Sequence, residues 1–182
     1  MDQITSPSRK MLDHTIPAWA ESDAEYFITV CCRDRGKNTL AFPQVARIIF
    51  DAVQTYERRK LWFVRFMLLM PDHLHGIFDF PLEASMQALF ANWKRFLSRK
   101  HGIHFQRDFF DHRLRSDESF IQKVEYIRHN PVRAGLAPEP EDWPYVYVHD
   151  AQLFADQGVN GLGVPGRTAL PAAVSCLPIR GE

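Results

Sequence analysis

The hydrophobic positions of this chain change period several times, and each change marks an element. Residues 26–32, Tyr-Phe-Ile-Thr-Val-Cys-Cys, are β-branched and aromatic and stop at the polar run Arg-Asp-Arg-Gly-Lys-Asn, which predicts a buried strand and a turn. From Pro43, a residue suited to a first helical turn, Val45, Ile48, Ile49, Ala52, Val53 and Tyr56 recur at spacings of three and four. They predict an amphipathic helix to about residue 59. Residues 61–69 are almost continuously apolar, Pro71-Asp72 interrupts them, and 74–80 resume, the pattern of an antiparallel hairpin. Met86, Leu89, Phe90, Trp93 and Leu97 form the stripe of a second helix, ending near Lys100 ahead of His101-Gly102. Residues 102–115 are aromatic and basic without a clear period. Ser116 is a good N-cap, Asp117 and Glu118 suit the positive end of a helix dipole, and Phe120, Val124 and Ile127 predict a third helix. It should stop at Asn130-Pro131, because a residue before proline avoids the helical region.

Strand, helix, strand, strand, helix and helix, with a last strand left open, fit an α+β fold. The expected form is a ferredoxin-like or RRM-like split βαβ antiparallel sheet with helices on one face. Residues 1–23 read as an N-terminal arm and 24–150 as the folded domain. Residues 151–182, where Gly161-Leu162-Gly163-Val164-Pro165-Gly166 has no period, read as a Gly/Pro-rich tail for which disorder is one reading.

Composition narrows the class. A length of 182 residues with 46% hydrophobic and 13% aromatic content supports one domain with a real core and excludes a disordered chain. No run approaches the roughly 18 to 20 apolar residues of a membrane helix, and the first thirty residues mix charges with prolines, so no membrane partner and a cytoplasmic location are expected. Cys31, Cys32 and Cys176 give neither a disulfide framework nor a CxxC knuckle and read as small apolar residues.

Charge changes the picture more. The formal net charge is zero, but residues 33–65 and 86–135 each carry an excess of +5, and the acidic groups gather outside them. Basic blocks of this kind suit a polyanion partner, whose counterions they release, although a solvated helix face produces the same pattern. Affinity for such a partner should fall with salt less steeply than for a uniformly basic protein.

Candidate chemistry lies in two segments. In Met70-Pro71-Asp72-His73-Leu74-His75-Gly76, His73 and His75 stand two apart on a predicted strand and project to one face, with Cβ atoms roughly 6 to 7 Å apart. Such a pair can share one metal ion, although His-x-His alone is not specific. In Glu125-Tyr126-Ile127-Arg128-His129-Asn130-Pro131, Tyr126 lies about 120° around the helix from the apolar stripe, on the same face as Asn130. A phenol nucleophile and an amide oxygen are thus presented side by side. Two imidazoles and a carbonyl-type oxygen with positions left open suit Mg²⁺ or Mn²⁺ bound to a phosphate oxygen, whereas a closed Zn²⁺ site needs a fourth N or S ligand.

These residues carry a family resemblance. The His-hydrophobe-His strand after Met-Pro, the Tyr-Ile-x-x-Asn-Pro-Val-Arg-Ala-Gly-Leu segment and the following Trp143-Pro144 resemble the single-tyrosine HUH transposases, and among them the bacterial REP-associated tyrosine transposases. The resemblance covers about residues 24–148, and the two motifs in order are far more specific than either alone. It implies a ferredoxin-like catalytic domain, a divalent ion on His73, His75 and Asn130, and Tyr126 as the residue that attacks DNA. The expected function is metal-dependent cleavage and rejoining of single-stranded or hairpin DNA of REP type through a 5′-phosphotyrosine, by a monomer or homodimer acting at the bacterial nucleoid. Phe105 stands before Gln106 where the family pattern has Trp, and the tail matches nothing in it.

The expected DNA-backbone track is Lys94, Arg95, Arg99, Lys100, Arg107, Arg113, Arg115, Arg128 and Arg133, with Phe105, Phe109 and Phe110 as possible stacking partners for unpaired bases. His112 reads equally as a phosphate contact, a support to the site or a loop histidine. Two other readings compete: a non-catalytic ferredoxin-like protein that binds single-stranded nucleic acid, and a phosphodiesterase that uses water in place of tyrosine.

Overall fold

The structure, a computed structural model, describes residues 24–114 and 120–149. In chain order they form β1 (Glu25–Cys31), α1 (Pro43–Arg58), β2 (Phe63–Leu69), β3 (His73–Asp79), α2 (Met86–His101), β4 (Phe110–Arg113), α3 (Phe120–Arg128), α4 (Asn130–Arg133), a 3-10 turn (Pro140–Asp142) and β5 (Val146–Val148). The sheet runs β4-β1-β3-β2-β5, and every neighbouring pair is antiparallel. Its first four strands have the ferredoxin-like order, as the sequence pattern predicts, and β5 extends the β2 edge.

Strand register explains where the helices go. Residues paired directly across a sheet share a face, so Phe27, Thr29, Cys31, His73, His75 and Ile77 lie on one side. Val30, Leu74, Gly76 and Phe78 lie on the other. Helices α1 and α2 cover that second side: Phe90 of α2 packs edge-on to Phe78 and Phe80, and Phe50 of α1 meets Tyr147. Trp62 fills the angle between them against Tyr56, Phe78, Phe90 and Trp93.

The first side is not all polar. Phe66, Leu68 and Ile77 are fully buried there, so the centre of the sheet is apolar on both faces and needs two covers. Helix α3, with Val124 and Ile127 fully buried, packs against β2 and β3 and supplies the second cover. This corrects the expectation of helices on one face: α1 and α2 obey it, and α3 stands opposite them.

Local signals set the ends of α2. The Ser85 hydroxyl accepts from the Ala88 N–H at 3.2 Å, and Gly102 terminates the helix at φ 68°, a left-handed conformation that favours glycine. A register shift between Val64 and Phe66 throws Arg65 out of the ladder, where its Nε meets Asp79 at 2.7 Å. The final segment is docked by Trp143, whose indole N–H donates to the Leu69 carbonyl at 2.8 Å, and by Tyr147, whose hydroxyl donates to Glu57 at 2.6 Å. Cys32 is buried, which pushes its thiol up to about 12, in keeping with an apolar role. The arm, the tail with Cys176, Arg115 and the expected cap at Ser116 lie outside the described residues. Among the described residues no helix is long and apolar enough to cross a membrane.

Gly76, directly after the second histidine, permits a close approach. A Cβ there would lie 2.6 Å from the Phe78 ring and 3.1 Å from the Phe66 carbonyl oxygen. Gly76→Ala is expected to cost about 1–3 kcal/mol of stability, read as a lower urea midpoint at unchanged slope. An unchanged midpoint would show that the Phe78 ring moves aside freely.

Candidate active site

His73 and His75 face the same side of β3, with ring centroids 4.8 Å apart and planes nearly perpendicular. Both rings are held through the same atom. The Nδ1 of His73 lies 2.7 Å from the Asp72 carboxylate, and the Nδ1 of His75 lies 2.9 Å from the Thr29 hydroxyl. Each ring therefore keeps its Nε2 for an outside partner, the arrangement in which metal-ligating histidines are oriented by a second hydrogen bond. Burial lowers the pKa of both rings, and for His75, with the charges of His73 and Arg35 adding, it falls to about 3. Neutral imidazoles with free lone pairs are what a metal needs.

Asp72 joins this pair to the loop after β1. Its Oδ2 accepts from the Gly36 N–H at 2.7 Å and lies 3.3 Å from Arg35 Nε, while Arg35 also donates to the Asp72 carbonyl at 3.1 Å. Burial raises the Asp72 carboxyl, but the Gly36 N–H, His73 and Arg35 outweigh it and hold the group below the usual carboxylate range.

Tyr126 comes from the other element on this side. It is 50% exposed, so its position off the apolar stripe of α3 is the one the helical spacing predicts. Lys123 Nζ lies 5.9 Å from its ring centroid and 5.3 Å from that of Phe27, and Phe27 in turn stacks on His75 at 5.5 Å. The Arg133 guanidinium sits over the phenol ring at 4.6 Å. Tyrosine and histidines thus share one side of the sheet, linked through a lysine and a phenylalanine.

Asn130 has a local task. Proline lacks an N–H, so Pro131 leaves the Ile127 carbonyl without its helical donor. The Asn130 side-chain N–H group donates to that carbonyl at 3.1 Å and to the Tyr126 carbonyl at 3.2 Å. With the amide nitrogen so engaged, the amide oxygen is the end left for a ligand. Among the described residues no three His, Cys, Asp or Glu side chains form a metal cluster. Two imidazoles joined by an amide oxygen would make an open donor set, which would suit Mg²⁺ or Mn²⁺ better than a closed Zn²⁺ site.

The basic residues divide. Arg133 lies on the tyrosine side, and Arg107 is exposed in the loop before β4. Arg95, Arg99 and Lys100 are exposed, but on α2, which covers the face opposite the histidines; Arg113 pairs with Tyr26 on that same opposite face. Two residues depart further from an exposed phosphate track. Lys94 is only 8% exposed, and its ammonium lies 3.0, 2.7 and 3.4 Å from the carbonyls of Gln106, Arg107 and Asp108, stapling the loop to α2. Burial draws its pKa down to about 8. Arg128 is 5% exposed and bridges Glu125 at 2.7 Å to Glu141 at 2.6 Å, fixing the tyrosine helix to the 3-10 turn.

Sequence reasoning missed Lys123, Asp72, Thr29 and Phe27. Two of them had a local signal: Asp72 stands directly before His73, and Lys123 precedes Tyr126 by three residues on one helix. His112 pairs with Phe27 and lies on the histidine side of β4. Phe105 stacks on Trp93 at 5.5 Å.

The chain matches no family model. An Escherichia coli protein described as a REP-associated tyrosine transposase is 24% identical over 127 residues, which cover 68% of this chain and 76% of that relative. A Haemophilus influenzae protein provisionally described in the same way is 29% identical over 142 residues, 68% of this chain and 79% of the relative. A solved structure of a REP-associated tyrosine transposase bound to a REP hairpin superposes with a TM-score of 0.67 at 18% identity, covering 92% of this chain and 99% of its own. In sequence the chain is similar to proteins described as REP-associated tyrosine transposases, and in fold it is similar to a solved structure of one.

Proposed function

We propose that this protein is a transposase-type endonuclease that cleaves and rejoins single-stranded DNA next to REP-type hairpins, through a 5′-phosphotyrosine on Tyr126. The observation that carries the reading is the linkage of Tyr126 to His75 through Lys123 and Phe27, which gathers a nucleophile and two oriented imidazoles on one side of the sheet. The relatives' description as transposases and the hairpin bound by the structural neighbour support the substrate class.

His73, His75 and Asn130 would hold the divalent ion, Mg²⁺ or Mn²⁺. When bound, the ion supplies Lewis-acid polarisation of a non-bridging phosphate oxygen. The chain's own residues do the rest. Asp72 and Thr29 fix the two rings, and Lys123 and Arg133 place positive charge beside the phenol where the phosphate arrives. The Tyr126 oxygen attacks phosphorus in line as the P–O3′ bond breaks. The phenol proton passes to water, and the departing 3′ oxygen takes one from water to become a 3′-OH, so the exchange of esters balances. Because the phosphodiester is exchanged for a phosphotyrosyl ester, a 3′-OH can reverse the step and rejoin strands without a nucleotide cofactor.

Incubating the protein with an end-labelled REP hairpin and Mg²⁺ tests this directly. A 3′ label is expected to move with the protein through denaturing electrophoresis, and a 5′ label to appear on a shortened free strand. A free 5′-phosphate product with no adduct would point to the water-using phosphodiesterase. Binding without cleavage would point to the non-catalytic binder.

Asp72→Ala is expected to weaken Mn²⁺ binding by about 10- to 100-fold, measured by calorimetry on the folded protein without DNA. Unchanged Mn²⁺ affinity would exclude the orienting role given to Asp72.

A further inference from the structure

We infer that Phe110 is a stacking platform for an unpaired base beside the phosphate that the histidine pair faces. The inference rests on the proposed single-stranded DNA substrate and adds a residue that selects how that strand lies. Three aromatics between the histidine strand and α3 are candidates from sequence, and the structure separates them. Phe109 is buried against Phe90 at 4.6 Å, and Phe105 is partly buried and stacked on Trp93. Phe110 is 50% exposed.

Its position is specific. Thr29 pairs with His75 on one side and with Phe110 on the other, so His75, Thr29 and Phe110 form one row across β3, β1 and β4. Two strand spacings, about 10 Å, separate the ends of the row. Phe110 meets Phe27 edge-on at 6.2 Å and 66°, and Phe27 stacks on His75, so ring contacts through the buried Phe27 tie the exposed Phe110 ring to the histidine site. Lys123 beside Phe27 adds positive charge along that path. An exposed aromatic face one ring away from a cation fits a nucleobase of a strand whose phosphate lies at the histidines, because every base has a π-face and every linkage a negative charge.

The test uses anisotropy of a labelled REP hairpin with single-stranded flanks, in EDTA so that binding is read without cleavage. Phe110→Ala is expected to weaken binding by about 5- to 150-fold, Phe110→Leu to weaken it as well, and Phe110→Trp to retain it. An abasic site walked along the flanks should cost the wild type a similar factor at one position and cost Phe110→Ala almost nothing there. Phe110→Trp should quench 2-aminopurine at that same position. The idea is overturned if Phe110→Ala binds every oligonucleotide as the wild type does, if it pays the full abasic penalty at every position, or if its only effect is on self-association in sedimentation. Since none of these readings needs an adduct, failure of wild-type cleavage would sink the proposed chemistry and leave the stacking result to stand or fall by itself.

Discussion

Tyr126→Phe is expected to abolish the protein–DNA adduct and to slow cleavage by on the order of 10³-fold or more, while hairpin binding stays close to wild type. The phenol oxygen is the only atom removed. Tyr126 is half exposed, and the ring that Lys123 and Arg133 flank remains, so the fold and the local charge should be unaffected. Circular dichroism and thermal unfolding should overlay with those of the parent. Wild-type levels of adduct in this variant would remove Tyr126 from the mechanism and with it the reading of α3 as the nucleophile helix.

His75→Ala is expected to lower Mn²⁺ affinity by more than about 100-fold and to take cleavage with it, a larger loss than removal of Asp72, which acts only through His73. The ordering is the informative part. His75 presents Nε2 from a ring that Thr29 and Phe27 hold on two sides, so Thr29→Val should fall between His75→Ala and the wild type. If His75→Ala binds Mn²⁺ as tightly as the parent, the paired histidines are not a metal site.

How much of this was legible beforehand depended on whether a signal was local. Helix α1, helix α2, the β2–β3 hairpin and the exposure of Tyr126 all follow from periodicity within a dozen residues, and they stand where the pattern put them. Strand β4 did not show, because four residues offer only two positions per face and, among the described residues, the strand pairs with β1 alone. The apolar run in β2, broken only at Arg65, hid its meaning, that both faces of the sheet are covered, and so hid the side on which α3 lies. Burial of Lys94 and Arg128 was equally invisible. Helical spacing says which face a charge occupies, not that three loop carbonyls or a distant Glu141 wait for it. Thr29 and His75 are 46 residues apart, a contact that only the strand register creates.

The cap at the end of α3 limits what mutagenesis can say about position 130. Its amide nitrogen repairs the helix end that Pro131 leaves open, while on the proposed reading its oxygen serves the metal, so one side chain holds two separable jobs at opposite ends. Aspartate would keep an acceptor and even strengthen it toward a cation, yet it has no donor and would turn a negative oxygen toward the Ile127 carbonyl. Alanine would lose both ends. Either substitution therefore unsettles the end of the helix that carries Tyr126 as well as the oxygen, and an amide is the side chain that meets both demands with a single planar group.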